Sequence, residues 1–138
     1  MYQWNQQPSD YGNICKIADE ITSTYPYFQK CIYGKSLCGR DLIALESTCK
    51  GELGRQPVLF AAAFHGMEWI TTSILLCFTE RLCKAAQQGK TLCGKDAAAA
   101  LHRSRLIVVP CVNPDGVEIQ IHGAESAGEH TNLVKEVS

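Results

Sequence analysis

A chain of 138 residues is the size of one domain and can bury a sizeable core, and its 46% apolar and 20% charged content is ordinary for a globular protein. A formal net charge of −1 gives no electrostatic case for nucleic acid or an anionic membrane surface. No apolar run approaches the ~20 residues that cross a bilayer, and the opening MYQWNQQPSD lacks the basic-then-apolar pattern of a signal peptide, so a cytoplasmic protein is expected.

In chain order, Ser9 or Asp10 can cap a first helix that ends near Tyr25. Ile14, Ile17, Ala18 and Ile21 recur there at helical spacing, and Pro26 follows. Two strand-like runs, 27–35 and 40–47, flank Ser36-Leu-Cys-Gly39 and predict a β-hairpin. Residues 50–56 form a polar, glycine-containing loop. Residues 57–64 are nearly all apolar, as in a strand covered on both faces. A helix over 67–84 follows, with Ile70, Ile74, Phe78 and Leu82 as its apolar stripe and Trp69, Leu75 and Leu76 widening it.

Residues 87–94 read as a loop, and Asp96 caps a short alanine-rich helix running to about Arg103. Residues 105–112 (RLIVVPCV) form another buried strand, and Asn113-Pro-Asp-Gly116 a turn. Val117, Ile119 and Ile121 alternate with polar residues over a short strand, and the tail after them has no period. Strands alternating with helices predict one layered α/β domain over 1–138.

Eight cysteines are scattered without a Cys-x-x-Cys pair, which argues against a zinc ribbon or a thioredoxin-type motif. A reducing compartment favours free thiols. Cys77, Cys83 and Cys111 lie in apolar stretches and read as small buried hydrophobes. Cys31 and Cys38 flank the hairpin turn and are the pair that most needs checking for a disulfide.

The most informative stretch is PVLFAAAFHGMEW, where an apolar run ends in His65 and Glu68 follows three residues later. His-x-x-Glu alone is weak, since composition predicts about a quarter of an occurrence by chance. The pattern occurs twice, as His65-Gly-Met-Glu68 and His122-Gly-Ala-Glu125. Only the first lies where a buried strand gives way to a helix, the place where ligands gather in open α/β sheets. Imidazole nitrogen and carboxylate oxygen are both good zinc donors. Gly66 is expected to let the backbone turn sharply between them. The competing reading makes His65 a strand-end histidine bonded to backbone and Glu68 a helix N-terminal acid favoured by the dipole.

FHGMEW after a buried strand, followed by LIVVPCVNPDGVE, resembles the zinc metallocarboxypeptidases of the carboxypeptidase A type. The upstream YGKSLCGRDLIALE resembles their Gly-x-Ser-x-x-Gly-Arg hairpin through Gly34, Ser36, Gly39 and Arg40. Three motifs in order over residues 30–121 are far more specific than one His-x-x-Glu. The segment NPDGVEIQIHGAESAG further resembles the bacterial branch that cleaves γ-D-glutamyl–diamino acid bonds in cell-wall peptides. The resemblance implies a three-layer α/β/α zinc-exopeptidase-like fold with a mixed central sheet, a zinc cofactor held by His65 and Glu68, and a peptide substrate. It gives His122 and Glu125 no metal role, and makes 113–116 a shaped turn near the site rather than a catalytic group.

The family's third zinc ligand, a histidine, its substrate-carboxylate arginine and its catalytic glutamate lie further downstream, and none has a match here. His122 and His130 lack the right surroundings, and His102 reads as a surface or capping histidine. The fold is therefore expected to be cut on its C-terminal side, and no residue is assigned as the general base. The expectation is a peptide hydrolase that is not competent as this chain alone. The alternative is a non-catalytic peptide-binding or self-associating relative. Self-association is expected through the strand edge and apolar faces that a cut sheet exposes.

Overall fold

A computed structural model describes residues 9–48 and 57–137. The predicted loop at 50–56 and Cys49 lie outside the described residues. The first helix, α1, spans Tyr11–Thr24 and is capped by Asp10, whose side chain accepts the Asn13 N–H. Its buried face is the expected Ile14, Ile17, Ala18 and Ile21. The hairpin follows as β1 (Phe28–Lys35) and β2 (Asp41–Ser47), antiparallel, with Gly39 at φ +80° in the turn.

Strand β3 is Pro57–Ala61, shorter than the apolar run that predicted it. A 3-10 turn, Gly66–Glu68, leads into α2, Trp69–Gln87. The predicted 87–94 loop holds a small ribbon, β4 (Thr91–Leu92) and β5 (Lys95–Asp96), before α3, Ala97–Arg103, with Asp96 as its cap. Strand β6, Arg105–Val109, pairs in parallel with β3 and antiparallel with β2. The resulting mixed sheet has the order β1-β2-β6-β3.

The α/β class and mixed sheet agree with expectation, but β3 is an edge strand and not one covered on both faces. Its Leu59 and Phe60 are exposed. The main core joins α1, α2 and α3 to one sheet face through Ile17, Leu45, Leu76, Leu101 and Val108. Among the described residues, no helix is long and apolar enough to cross a membrane.

Three local expectations are corrected. First, α2 buries only the C-terminal end of the predicted stripe, at Leu82, together with Leu76 from its flank, and leaves the N-terminal part outside. Thr72, Leu76, Thr79, Cys83 and Ala86 face inward, whereas Ile70 and Ile74 are 51% and 64% exposed. The inward threonines both pair their hydroxyls: Thr72 Oγ1 donates to the Pro110 carbonyl at 2.7 Å, across to the chain leaving β6, and Thr79 Oγ1 to that of Leu75 at 2.8 Å, within the helix. A threonine paired in this way tolerates burial, so hydropathy missed that Thr72 and Thr79 share the buried face with Leu76 and Leu82.

Second, residues 113–121 are not a turn and a strand. Asn113 caps α4, Pro114–His122, by accepting the Gly116 N–H at 2.9 Å, and Pro114 opens the helix, where its missing N–H costs nothing. Val117 is fully buried on that helix, with Ile121 packed one turn on. Third, the aperiodic tail is also helical, as a 3-10 segment at Ala124–His130 and α5, Thr131–Val137.

The seven described cysteines, Cys31 and Cys38 included, are free thiols. Cys83 and Cys111 are buried as expected, and burial pushes both thiols up to about 12. Cys77 is only half-buried, because it lies toward the outward face of α2.

Candidate metal centre

The loop after β3 is shaped by backbone hydrogen bonds to the chain leaving β6. Ala62 N–H donates to the Val109 carbonyl, and Val112 and Asn113 N–H donate back to Ala62 and Ala63 carbonyls, at 2.9–3.1 Å. Ala63 is buried and held at φ +49°, a conformation strained for a residue with a Cβ. Thr71 then fastens both ends of the following turn. Its hydroxyl accepts the Ala63 N–H at 2.9 Å and donates to the Glu68 carbonyl at 2.7 Å.

Within that clamp, His65 and Glu68 converge. His65 Nδ1 lies 3.1 Å from Glu68 Oε1, with the two side chains 80% and 47% exposed. The hydrogen bond to His65 holds the Glu68 carboxyl below its ordinary range. His65 makes no capping bond, and Glu68, at the N-cap of α2, uses no side-chain atom to cap it. The His65 ring thus makes no cap, whereas Glu68, at the N-cap of α2 and with a hydrogen bond to the His65 backbone, keeps the helix-start role of the competing reading beside its capacity as a donor. Two donors on one tetrahedral zinc, each at its usual bond length, sit roughly 3.3 Å apart. The observed separation and the nitrogen–oxygen donor set fit that requirement.

Gly66 is needed for a reason other than a sharp turn. A Cβ built on it would lie 2.1 Å from the Gly116 carbonyl oxygen, so the ligand loop rests backbone to backbone on the first turn of α4. Asn113 Nδ2 also donates to the Phe64 carbonyl at 3.4 Å. The same helix turn grips the β1–β2 hairpin. Asp115 accepts from Ser36 Oγ at 2.8 Å, the Cys38 N–H at 2.9 Å and Arg40 Nη1 at 2.7 Å, while Arg40 Nη2 donates to the Ser126 carbonyl at 2.7 Å. Burial alone would raise the Asp115 pKa, but the Cys38, Arg40 and Ser36 bonds outweigh it and hold the carboxyl below its usual range. The hairpin motif, the His65 loop and Asn113–Gly116 are thus one connected unit. Sequence reasoning placed them near one another but missed Thr71 and the Asp115–Arg40 pair.

Among the described residues, no third histidine, cysteine or carboxylate donor joins His65 and Glu68. The one cluster of three such donors is elsewhere, at Asp10, Glu118 and His122, whose donor atoms lie within 4.8 Å of one another. Asp10 is engaged as the α1 cap, Glu118 Oε1 accepts the Tyr11 N–H at 2.7 Å, and His122 Nε2 meets Asp10 Oδ2 at 3.1 Å. His122 therefore ties α4 to the start of α1. His102 is exposed in the last turn of α3, as expected, and His130 sits beside Glu129.

The family model described as zinc carboxypeptidase matches residues 14–132. The chain is 30% identical over 118 residues to gamma-D-glutamyl-L-diamino acid endopeptidase 1 of Lysinibacillus sphaericus, covering 86% of this chain and 29% of that protein. It is 31% identical over 127 residues to YqgT of Bacillus subtilis, covering 91% of this chain and 33% of that protein. The chain thus spans about a third or less of these relatives' lengths. Among solved structures, that of thrombin activatable fibrinolysis inhibitor (TAFI) superposes with a TM-score of 0.69 at 19% identity, over 91% of this chain and 29% of that one, a likeness of fold.

Proposed function

This chain belongs to the zinc carboxypeptidase family, and from that premise we propose that residues 1–138 form the N-terminal portion of a peptide-hydrolase domain whose zinc is held by His65 and Glu68. The observation that carries this reading is the convergence of His65 Nδ1 and Glu68 Oε1, 3.1 Å apart and well exposed, on a loop fixed from below by α4. When bound, zinc supplies Lewis acidity toward a peptide carbonyl. The chain's own part is to orient the two donors. Thr71 and Asn113 fix the loop backbone, and the Gly66–Gly116 contact sets its height above the sheet.

The substrate we propose is a peptide, and the cell-wall γ-D-glutamyl–diamino acid class is supported by the Lysinibacillus relative. The free thiols support a cytoplasmic setting. Hydrolysis needs a third ligand and a general base that the described residues do not offer, so the 138-residue chain by itself is expected to bind zinc without turnover. Zinc titration against a chromogenic chelator, with His65→Ala and Glu68→Ala beside the parent, tests the ligands. The expected result is a loss of at least about tenfold in affinity for each variant. Equal affinity in His65→Ala would refute the assignment. Peptide hydrolysis by the 138-residue chain that stops on chelation would refute the expectation of no turnover.

A further inference from the structure

We propose that the groove between α1 and α2 is a binding site for a free basic amino acid, a small molecule with one carboxylate and two ammonium groups. The site is separate from the candidate metal centre and does not rest on the assignment of His65 and Glu68.

The groove is a cavity of about 360 Å³ between the C-terminal halves of the two helices. That volume lies at the lower end of the ~300–1,000 Å³ of small-molecule sites and suits a molecule of amino-acid size. Its lining comes from α1, from Tyr25 at the end of α1, and from α2. Neither the edge strand β3 nor the chain after α2 contributes to it among the described residues. On α1, Ile17, Glu20 and Ile21 reach the cavity at steps of three and four, the spacing of one helix face. On α2, Glu80 and Lys84 reach it one turn apart.

The floor is the edge of the main core. Ile17 and Ile21 are buried there and present an apolar surface. Tyr25 stands beside them and is only 9% exposed. Its phenol lines the cavity within the field of Glu80, and no hydrogen bond reaches it among the described residues. Burial first, and then the Glu80 carboxylate, raise its pKa, so the hydroxyl is a donor at neutral pH. A buried hydroxyl without a partner is costly, and an acceptor on a bound molecule relieves that cost.

The rim selects the class of molecule. Glu20 and Glu80 bring two carboxylates and Lys84 one ammonium, which leaves the cavity with one negative charge. An acidic ligand would meet two like charges. A simple amine would set a cation against Lys84 with no carboxylate to match it. A basic amino acid answers each group: its carboxylate accepts from Lys84 and the Tyr25 hydroxyl, and its two ammonium groups donate to Glu20 and Glu80. Its aliphatic stem lies on Ile17 and Ile21, as long charged side chains do on apolar surface.

Isothermal titration of the 138-residue chain with L-lysine decides the matter, with a chelator present so that no metal ion holds the amino acid. The expected result is one site per chain with a Kd at or below about 1 mM. Norleucine, which lacks the side-chain ammonium, and cadaverine, which lacks the carboxylate, should each bind at least about tenfold more weakly, as should lysine to Glu80→Gln and Lys84→Met. Tyr25→Phe keeps the ring and removes only the hydroxyl. It should weaken lysine by about fivefold and leave the melting temperature unchanged or higher, because the hydroxyl has no partner in the free protein. His65→Ala should bind lysine as the parent does. No saturable binding up to about 10 mM lysine would overturn the proposal. So would parental affinity in Tyr25→Phe and Glu80→Gln, equal binding of lysine and norleucine, or loss of binding in His65→Ala.

Discussion

Replacing Gly66 by alanine tests whether the ligand loop is positioned by its contact with α4. The added Cβ would sit 2.1 Å from the Gly116 carbonyl oxygen and 2.5 Å from its carbon, both backbone atoms that no rotamer change can move. Carbon and oxygen need about 1 Å more than this, so either the loop lifts or the first turn of α4 retreats, and α4 is held by Asp115 and by buried Val117. Overpacking of this kind costs about 1–3 kcal/mol. A metal site tolerates only ~0.2 Å in ligand distance, so a 1 Å lift of His65 relative to the scaffold should weaken zinc at least about tenfold. Thermal unfolding with a zinc competition titration measures both. Gly12→Ala is the control, because its Cβ would meet nothing closer than Asp10 Oδ1 at 3.8 Å and it lies in the first turn of α1. That variant should match or exceed the parent's stability by up to about 1 kcal/mol. A Gly66→Ala protein with parental melting and parental zinc affinity would show that the close contact does not position the site.

Asp115→Asn should destabilise by about 2–3 kcal/mol at neutral pH, because Arg40 loses its nearer, hydrogen-bonded carboxylate and keeps only Glu118, 3.8 Å away. The folded Asp115 pKa is depressed, so its contribution is complete above the ordinary carboxylate pKa and is lost as pH falls through the folded value. Urea midpoints of parent and variant should therefore converge only in the acid range, and a gap independent of pH would contradict the assignment. Thr72→Val should cost about 1–2 kcal/mol by orphaning the Pro110 carbonyl, while Ile74→Ser should change monomer stability by less than about 0.5 kcal/mol, and the reverse ranking would restore the face expected from hydropathy. In iodoacetamide labelling at pH 8 followed by mass spectrometry, exposed Cys93 should react first and Cys83 and Cys111 only on unfolding; early labelling of either buried thiol would refute their placement.

Much of this architecture is legible in the residues, and the failures have a common origin. Where a local signal and the tertiary role coincide, as with Asp10 and α1, Gly39 in the hairpin turn, or Asp96 and α3, the sequence reading matches the structure. It fails where a polar residue does a buried job. Thr72 and Thr79 hide inside by bonding carbonyls, which turns the buried face of α2 away from Ile70 and Ile74 while keeping Leu76 and Leu82. Val117, Ile119 and Ile121 alternate like a strand, yet Asn113-Pro114 is a helix-start signature that should have outweighed three alternating residues. The apolar content of 57–64 described its composition correctly but not its place. Only the strand order shows β3 at the edge, and pairing partners distant in sequence are not encoded in local pattern.

The candidate site was legible in a different way. His65 and Glu68 were recognisable, but nothing in their spacing distinguishes them from His122 and Glu125. The structure separates the two copies by what holds them. His122 points to Asp10 and serves to tie two helices, whereas His65 is joined only to Glu68 and the backbone beneath both is fastened at Ala63, Phe64, Gly66 and Glu68. Effort spent fixing an exposed loop contributes little to core packing, since neither side chain is buried. Under the proposed ligand assignment, its role is to fix two donors in advance so that binding need not order them. The start of α4, Asn113–Gly116, is therefore best understood through what it holds. Asp115 anchors it to the hairpin, the Gly116 carbonyl supports Gly66, and the Asn113 main chain pins Ala63, so that a perturbation in the hairpin, such as Arg40→Ala, should be felt at His65 through α4 rather than through space.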